Sequence, residues 1–343
     1  MSERLAKVPQ LDALRALAAF AIIAYHFIPE FTPLRLPFGW IGVDLFFVIS
    51  GFLITHILLG QKAAIKDRWR ILRYFIIKRS LRLFPAYFAM IGVFAVLMRL
   101  TGLWSWDPGE GIWYWTYTSN YLQFLHGARA GHLTHLWSLA VEEQFYLLWP
   151  WLVLFLSTPW LRRALVLLVV IGFAFKSFSG WENARLLTFS HFDTLGCGAL
   201  IALHRSSASL FRMLGRHTLS WVLAGSALLL LHELWRHIAV IQSVGVLLIV
   251  VPITVRCIAG FSGRFGRLMD HPRSAHFGRI SYGLYLYHKP IPLLLKLVLA
   301  HTAFHFPGWV LLPMALLLTW IVAELSFRYL EQPFLRLKER FDL

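Results

Sequence analysis

The first apolar segment of the sequence carries two residues that can do chemistry, Arg15 and His26. In a helix they would stand about 16 Å apart along the axis, close to three whole turns, so they share one face at different depths. A charged side chain inside a membrane costs about 2.5–3.5 kcal/mol on insertion scales, and therefore indicates a function. Histidine is the most frequent general base, and arginine is suited to anion binding.

Two further apolar segments place polar residues at the depth predicted for His26. Asp44 opens the second segment and could hold the imidazole in the tautomer that a base needs; the alternative is an Asp–His pair that only satisfies itself. Ser138 and Glu142 open the fourth segment, four residues apart and so on one helix face. We expect His26 as base, Asp44 as its orienting group, Ser138 as an oxyanion donor and Glu142 as a group that holds an acceptor or a proton.

An arginine pair stands at the start of the third apolar segment. Arg79 and Arg82 are three residues apart and face the same way, and a planar guanidinium matches a phosphate group well. We expect these two residues, with Arg15, to bind an anion. For the lysines and arginines from 62 to 73 we prefer the alternative interpretation, a basic cluster that snorkels at the membrane surface.

Four more residues complete the candidates. His288 falls near the middle of the ninth apolar segment, where it is either functional or a satisfied packing residue. Asn120, Tyr146 and Tyr282 are the remaining ones. No metal is expected, since His132-x2-His135 lacks the further ligands of a zinc site.

The composition shows what must position these residues. The chain has 343 residues, of which 58% are hydrophobic and 15% charged, with a mean hydropathy of +0.62. We predict an all-α integral membrane protein, a bundle of about ten transmembrane helices, because backbone in lipid must satisfy its own hydrogen bonds. The predicted spans are about 11–28, 39–59, 82–100, 136–156, 162–178, 190–204, 219–235, 240–258, 279–300 and 308–328.

The distribution of charge gives the orientation. Most of the 33 lysines and arginines fall in one alternating set of connections, which predicts that both termini are cytoplasmic. The net charge of +16 therefore belongs to membrane topology, and no nucleic-acid partner is expected. The first segment holds Arg15 and has no following cleavage site, so we expect it to be retained as a span.

The connection between the third and fourth segments is predicted to face outward and is rich in aromatic residues. Two interpretations stay open: an interfacial aromatic belt, or a surface on which glycans stack. The residues concerned are Trp104, Trp106, Trp113, Tyr114 and Trp115.

Taken in order, the motifs resemble those of the acyltransferase 3 family of bacterial membrane acyltransferases. They are Arg15-x10-His26, Gly42-Val-Asp44 continuing to Ser50-Gly51, Arg79-x2-Arg82, Trp137-Ser-Leu-x-Val-Glu142-x-Gln-Phe-Tyr146, Ser281-Tyr282 continuing to His288, and Glu331-Gln-Pro333. The resemblance covers nearly the whole chain, and it maps the Arg-x10-His and Arg-x2-Arg pairs of the family onto the residues named above.

The resemblance implies a ten-helix bundle in the bacterial inner membrane. It also implies a cytoplasmic acyl-CoA donor, usually acetyl-CoA, and an acceptor hydroxyl on a surface polysaccharide, lipopolysaccharide, nodulation factor or antibiotic. Some members carry a fused extracytoplasmic domain. We expect this chain to be a single membrane domain without one.

Two other classes of function compete with this one. In a proton-coupled transporter, Arg15, His26, Asp44 and Glu142 would form a relay, although the sequence lacks repeat halves. A binding or assembly subunit would leave the matched depth of these residues unexplained.

Overall fold

The computed structural model describes residues 8–102, 109–127, 133–178, 183–235, 239–302 and 306–341, and every regular element in these ranges is helical. The first part of the chain forms seven α-helices: α1 (Pro9–Phe31), α2 (Ile41–Ala64), α3 (Arg68–Thr101), α4 (Gly111–Trp115), α5 (Ser119–His126), α6 (Leu136–Phe155) and α7 (Thr158–Phe178).

Nine α-helices follow, with short 3-10 turns at Ala184–Leu186, Thr188–His191 and Glu339–Phe341 and a π-helical turn at Ser326–Glu331. They are α8 (Phe192–Leu203), α9 (Ala208–Arg216), α10 (Thr218–Leu234), α11 (Ala239–Ala259), α12 (Gly263–Met269), α13 (Pro272–Tyr287), α14 (Pro290–Ala300), α15 (Gly308–Leu325) and α16 (Gln332–Lys338).

Five of the described helical stretches are long and apolar enough to cross a membrane: Pro9–Phe31, Ile41–Ala64, Arg68–Thr101, Val240–Ala259 and Gly308–Leu337. The pair α9 and α10, bent by 63°, is a sixth if it forms one span. The chain is therefore a multi-pass membrane protein. Helices cover all ten predicted spans, but α8, for example, has 12 residues and is about 18 Å long, short of a hydrocarbon layer of about 30 Å. The number ten and the cytoplasmic termini stay predictions.

Two predicted spans differ from the observed helices. The third span was placed at 82–100, whereas α3 begins at Arg68 and runs for 34 residues. The ninth was placed at 279–300 as one helix, and it is two, because α13 ends at Tyr287 and α14 begins at Pro290. Hydropathy missed the first difference because the amino-terminal half of α3 is basic, and the second because residues 280–300 are mostly apolar on both sides of the break.

The described residues cluster into two compact units. The first lies within Met1–Ala18, Ile41–Leu72 and Gln144–Arg279, and the second within Ala19–Trp40, Arg73–Glu143 and Ile280–Leu343.

Glycine allows close helix packing inside the first unit. A Cβ on Gly51 of α2 or on Gly198 of α8 would collide with the backbone of the other helix. Gly225 of α10 and Gly245 of α11 approach each other in the same way. Small residues at a crossing let backbones come close, which is how membrane helices gain packing energy without a hydrophobic driving force.

The second unit packs around aromatic rings. The phenol of Tyr87 on α3 donates to the carbonyl oxygen of Tyr114 at 2.9 Å, and the ring of Tyr87 stacks on that of Tyr117 with centroids 3.9 Å apart. These contacts connect α3 to the segment around α4 and α5, and that segment leads into α6. The second unit contains most of the predicted chemistry.

Candidate active site

The break between α13 and α14 supplies a hydrogen-bond acceptor to a side chain. In a continuous helix, the N–H of residue 290 would bond to the carbonyl oxygen of Leu286, but proline has no N–H. That oxygen lies 3.0 Å from Nε2 of His135, the residue that precedes α6. A carbonyl oxygen only accepts, so His135 donates from Nε2. This hydrogen bond connects the break to the start of α6.

His288 lies inside this break and is fully buried. Its Nδ1 is 2.5 Å from the carbonyl oxygen of Tyr285, and its Nε2 is 3.1 Å from Nδ1 of His26. The ring of His135 is also close, with centroids 5.0 Å from His288. Three imidazoles from different parts of the chain are therefore gathered within the second unit.

His26 is half-buried on α1 and has a basic neighbour. Lys289, the other residue of the break, acts on it electrostatically, and the carbonyl oxygen of Ile22 accepts a hydrogen bond from the His26 ring. A half-buried imidazole with one side anchored and a cation nearby is suited to proton transfer next to a developing negative charge. Lys289 did not emerge as a candidate from the sequence.

Ser138 faces the interior of the same unit. Its Oγ lies 3.1 Å from the carbonyl oxygen of His135 and 2.5 Å from the phenol oxygen of Tyr285, which itself donates to the His135 carbonyl at 2.9 Å. The hydroxyl is thus part of a buried network that fixes α6 to α13. Its role as an oxyanion donor stays a prediction.

A small pocket, with no room for a water molecule, lies in the same unit. It is lined by Leu83, Tyr117, Leu139, Glu142, Glu143 and Tyr282. Glu143 is 7% exposed, and its Oε1 has no hydrogen-bond partner among the described residues, while Arg79 acts on the carboxyl electrostatically. The sequence favours Glu142, which is half-buried in the structure. The rotation of α6 about its axis decides which of the two adjacent glutamates points inward, and hydropathy does not report that rotation.

Tyr117 forms one wall of the pocket in a strained conformation. Its φ is +54°, the only positive value outside glycine among the described residues, which costs about 1–3 kcal/mol. Tyr282 acts on its phenol electrostatically, and the Tyr282 hydroxyl donates to the carbonyl oxygen of Leu83 at 2.9 Å. Burial, together with Tyr282 and Glu143, raises the pKa of Tyr117, so it stays a protonated donor. Of the aromatic residues predicted to face outward, Trp104 and Trp106 lie outside the described residues.

The arginine pair of α3 lies among carboxyl groups. Arg82 acts electrostatically on Glu331, which is buried and accepts from Ser326 at 3.3 Å, as Arg79 does on Glu143. Arg15 belongs to the first unit. Joint anion binding by the three arginines stays a prediction.

Asp44 has a partner that the sequence did not suggest. Its Oδ1 lies 3.9 Å from Nδ1 of His191, whose Nε2 is 2.7 Å from the carbonyl oxygen of Arg185. Nearby, Lys176 pairs with the buried carboxylate of Asp193 at 2.8 Å. Asp44 is in the first unit and His26 in the second, so their pairing stays a prediction.

The remaining candidates occupy both units. Tyr146 lies in the first, with its phenol oxygen 3.4 Å from Oγ of Ser50. Asn120 is fully buried on α5 in the second. Of the rejected zinc pair, His135 has the role described above and His132 lies outside the described residues; no cluster of potential metal ligands occurs in the described part of the chain.

These features define a class: a helical membrane protein with hydrogen-bonded histidines, buried carboxyl groups and arginines in and beside its spans. The chain belongs to the acyltransferase 3 family, because the model described as an acyltransferase domain matches residues 8–325. The predicted resemblance is confirmed, and the transporter alternative has no support.

Two relatives match 95% of this chain. One is the peptidoglycan O-acetyltransferase OatA of Listeria monocytogenes, 32% identical over 364 residues, and the other is the O-acetyltransferase OatA of Staphylococcus aureus, 29% identical over 360 residues. This chain spans 55% of the first and 57% of the second, slightly more than half of their length. No solved structure matches the chain.

Proposed function

We propose that this chain transfers an acetyl group from acetyl-CoA to a hydroxyl of a cell-envelope glycan, with His26 as general base. The observation that carries the proposal is the hydrogen bond of 3.1 Å between His26 and His288, inside a unit built from apolar helices. Ionisable side chains inside a membrane cost stability, so their presence indicates a function, and histidine is the side chain that exchanges protons most readily near neutral pH. The names of the two relatives support acetyl transfer to oxygen.

In the proposed reaction, His26 takes up one proton and returns it. His26 takes the proton of the acceptor hydroxyl as the oxygen attacks the thioester carbonyl, and the carbon–sulfur bond of the tetrahedral intermediate then breaks. The CoA thiolate leaves with the proton that His26 returns. Lys289 stabilises the oxyanion, together with the Ser138 hydroxyl proposed above as a donor.

The donor would enter from the cytoplasm, with its phosphates held by Arg79, Arg82 and Arg15. We expect Arg79→Ala to raise the KM for acetyl-CoA about tenfold or more while the KM for the acceptor changes less, because a charge-assisted contact to phosphate is lost. Arg99→Ala, at the other end of α3, is the control. An unchanged KM for acetyl-CoA in the Arg79 variant would contradict the assignment.

The acceptor would be a glycan of the cell envelope, since the Listeria relative is named for peptidoglycan. Glu142, half-buried on α6, would hold the acceptor, because a carboxylate accepts hydrogen bonds from sugar hydroxyls. The site would lie in a single membrane domain in the bacterial inner membrane.

His26→Ala tests the proposed base directly. We expect the release of free CoA from acetyl-CoA, in the presence of peptidoglycan fragments, to fall about 100- to 10,000-fold, the usual contribution of a general base. His301→Ala, at the exposed end of α14, is the matched control. Turnover close to wild type in a folded His26 variant would remove the proposed base.

A further inference from the structure

We infer that His288 is a positioning residue that holds His26 in the tautomer whose Nε2 carries the lone pair. The inference rests on the proposed role of His26 and goes beyond it by naming the basic nitrogen and the group that selects it. Three hydrogen-bonding constraints support it, and each depends on which atoms can donate a hydrogen and which can only accept one.

The first constraint fixes the proton of His288. Its Nδ1 lies 2.5 Å from the carbonyl oxygen of Tyr285, and a carbonyl oxygen only accepts, so Nδ1 carries the hydrogen. A second proton on Nε2 would place a full charge in a completely buried ring, next to the ammonium group of Lys289. The neutral ring therefore presents a lone pair at Nε2.

The lone pair on Nε2 of His288 in turn determines where His26 carries its hydrogen. Its Nδ1 lies 3.1 Å from Nε2 of His288, and a lone pair there requires a donor, so His26 carries its hydrogen on Nδ1. The carbonyl oxygen of Ile22, one turn earlier on α1, is a second acceptor for the ring.

A neutral imidazole has one protonated nitrogen and one with a lone pair. With hydrogen on Nδ1, the lone pair of His26 is on Nε2, which is the atom that can take the acceptor proton. Without His288, His26 loses the acceptor that faces its Nδ1 and keeps only the Ile22 carbonyl oxygen, so a larger share of the other tautomer is expected. The break at Pro290 supports the arrangement, because the exposed Leu286 carbonyl anchors His135 against the other side of His288.

The decisive experiment compares His288→Leu with His288→Gln. Glutamine can place its side-chain oxygen near the position of Nε2 and accept from His26, whereas leucine fills a similar volume and accepts nothing. We expect the leucine variant to lose about 10- to 100-fold in kcat with little change in the KM for acetyl-CoA, as positioning partners of functional histidines do. The glutamine variant should recover at least part of that loss.

Several outcomes would overturn the inference. Equal losses in both variants would make His288 a packing residue, and unchanged kcat in both would make it dispensable. If His26→Ala abolishes turnover while His288→Leu does not, only the positioning role fails. If His26→Ala is fully active, the proposed function fails and the inference falls with it.

A second measurement does not depend on activity. In protein with nitrogen-15 histidine, chemical shifts distinguish protonated from unprotonated ring nitrogens, and the His26 signals are identified by their absence from His26→Ala. We expect hydrogen on Nδ1 in the wild type and a mixture of tautomers in His288→Leu. Hydrogen on Nε2 of wild-type His26 would overturn the inference.

Discussion

Tyr285 contributes to the candidate site twice, through its backbone and through its side chain. Its carbonyl oxygen accepts from His288, and its phenol lies between Ser138 and the carbonyl oxygen of His135. The first contact bears on proton transfer and the second on the packing of α6 against α13. A side-chain substitution separates the two, because the carbonyl survives it.

Tyr285→Phe should therefore destabilise the protein more than it slows the reaction. Loss of the buried phenol removes its hydrogen bond to the His135 carbonyl and its contact with the Ser138 hydroxyl, at a cost of about 1–3 kcal/mol. We expect a lower midpoint of thermal unfolding in detergent and a fall in kcat of less than about tenfold. A loss of kcat as large as that of His26→Ala, without loss of stability, would instead place the phenol in the chemistry.

At the residue scale, the sequence identified the candidate residues better than the residues that contact them. His26 and His288 were both candidates and lie together, but Asp44 is next to His191, and His135 had been considered only as half of a metal pair. Pattern places a residue on a helix face and at a depth. Its partner depends on the rotation of the neighbouring helix and on main-chain oxygens, and hydropathy reports neither.

The element that matters most is the break between α13 and α14. A proline in the sequence does not predict it, because five other prolines lie inside continuous helices: Pro29, Pro85, Pro150, Pro252 and Pro313. What distinguishes Pro290 is that another group, Nε2 of His135, satisfies the carbonyl that it leaves without a donor. That compensation is tertiary, so a single apolar span was the natural prediction for 279–300.

Pro290→Ala should lower activity without lowering stability. The new N–H can bond to the Leu286 carbonyl, which extends the helix and competes with His135 for that oxygen. We expect kcat to fall about tenfold, as for a lost positioning contact, while the unfolding midpoint stays the same or rises. Pro313→Ala, in the interior of α15, is the control and should leave kcat unchanged. Full activity in Pro290→Ala would show that the break is not required.

At the scale of the whole molecule, composition predicted the class of protein but not the number of membrane spans. A chain with 58% hydrophobic residues had to be a membrane protein, and its helical content is confirmed over the described residues. The number of spans does not follow from hydropathy, because α3 is about 51 Å long and helices such as α8 are short. A helix that tilts or breaks crosses less of the membrane than its length along the axis would suggest.

The predicted orientation can be tested with reporter fusions. If basic connections face inward, a green fluorescent protein fused to the carboxyl terminus should fluoresce, and alkaline phosphatase fused there should be inactive. A phosphatase fusion in the connection between α3 and α6 is the opposite control and should be active. An active phosphatase at the carboxyl terminus would reverse the inner and outer assignments of every polar group.

The hydrogen bonds of His288 also bear on bioenergetics. From His26 the path leads to His288 and then to the carbonyl oxygen of Tyr285, which has no proton to hand on and cannot keep one. Under the proposed role of His26, a proton accepted at Nε2 has no exit along this path and leaves through Nε2 again. The path is a dead end for protons, so it would not carry a proton leak across an energised membrane.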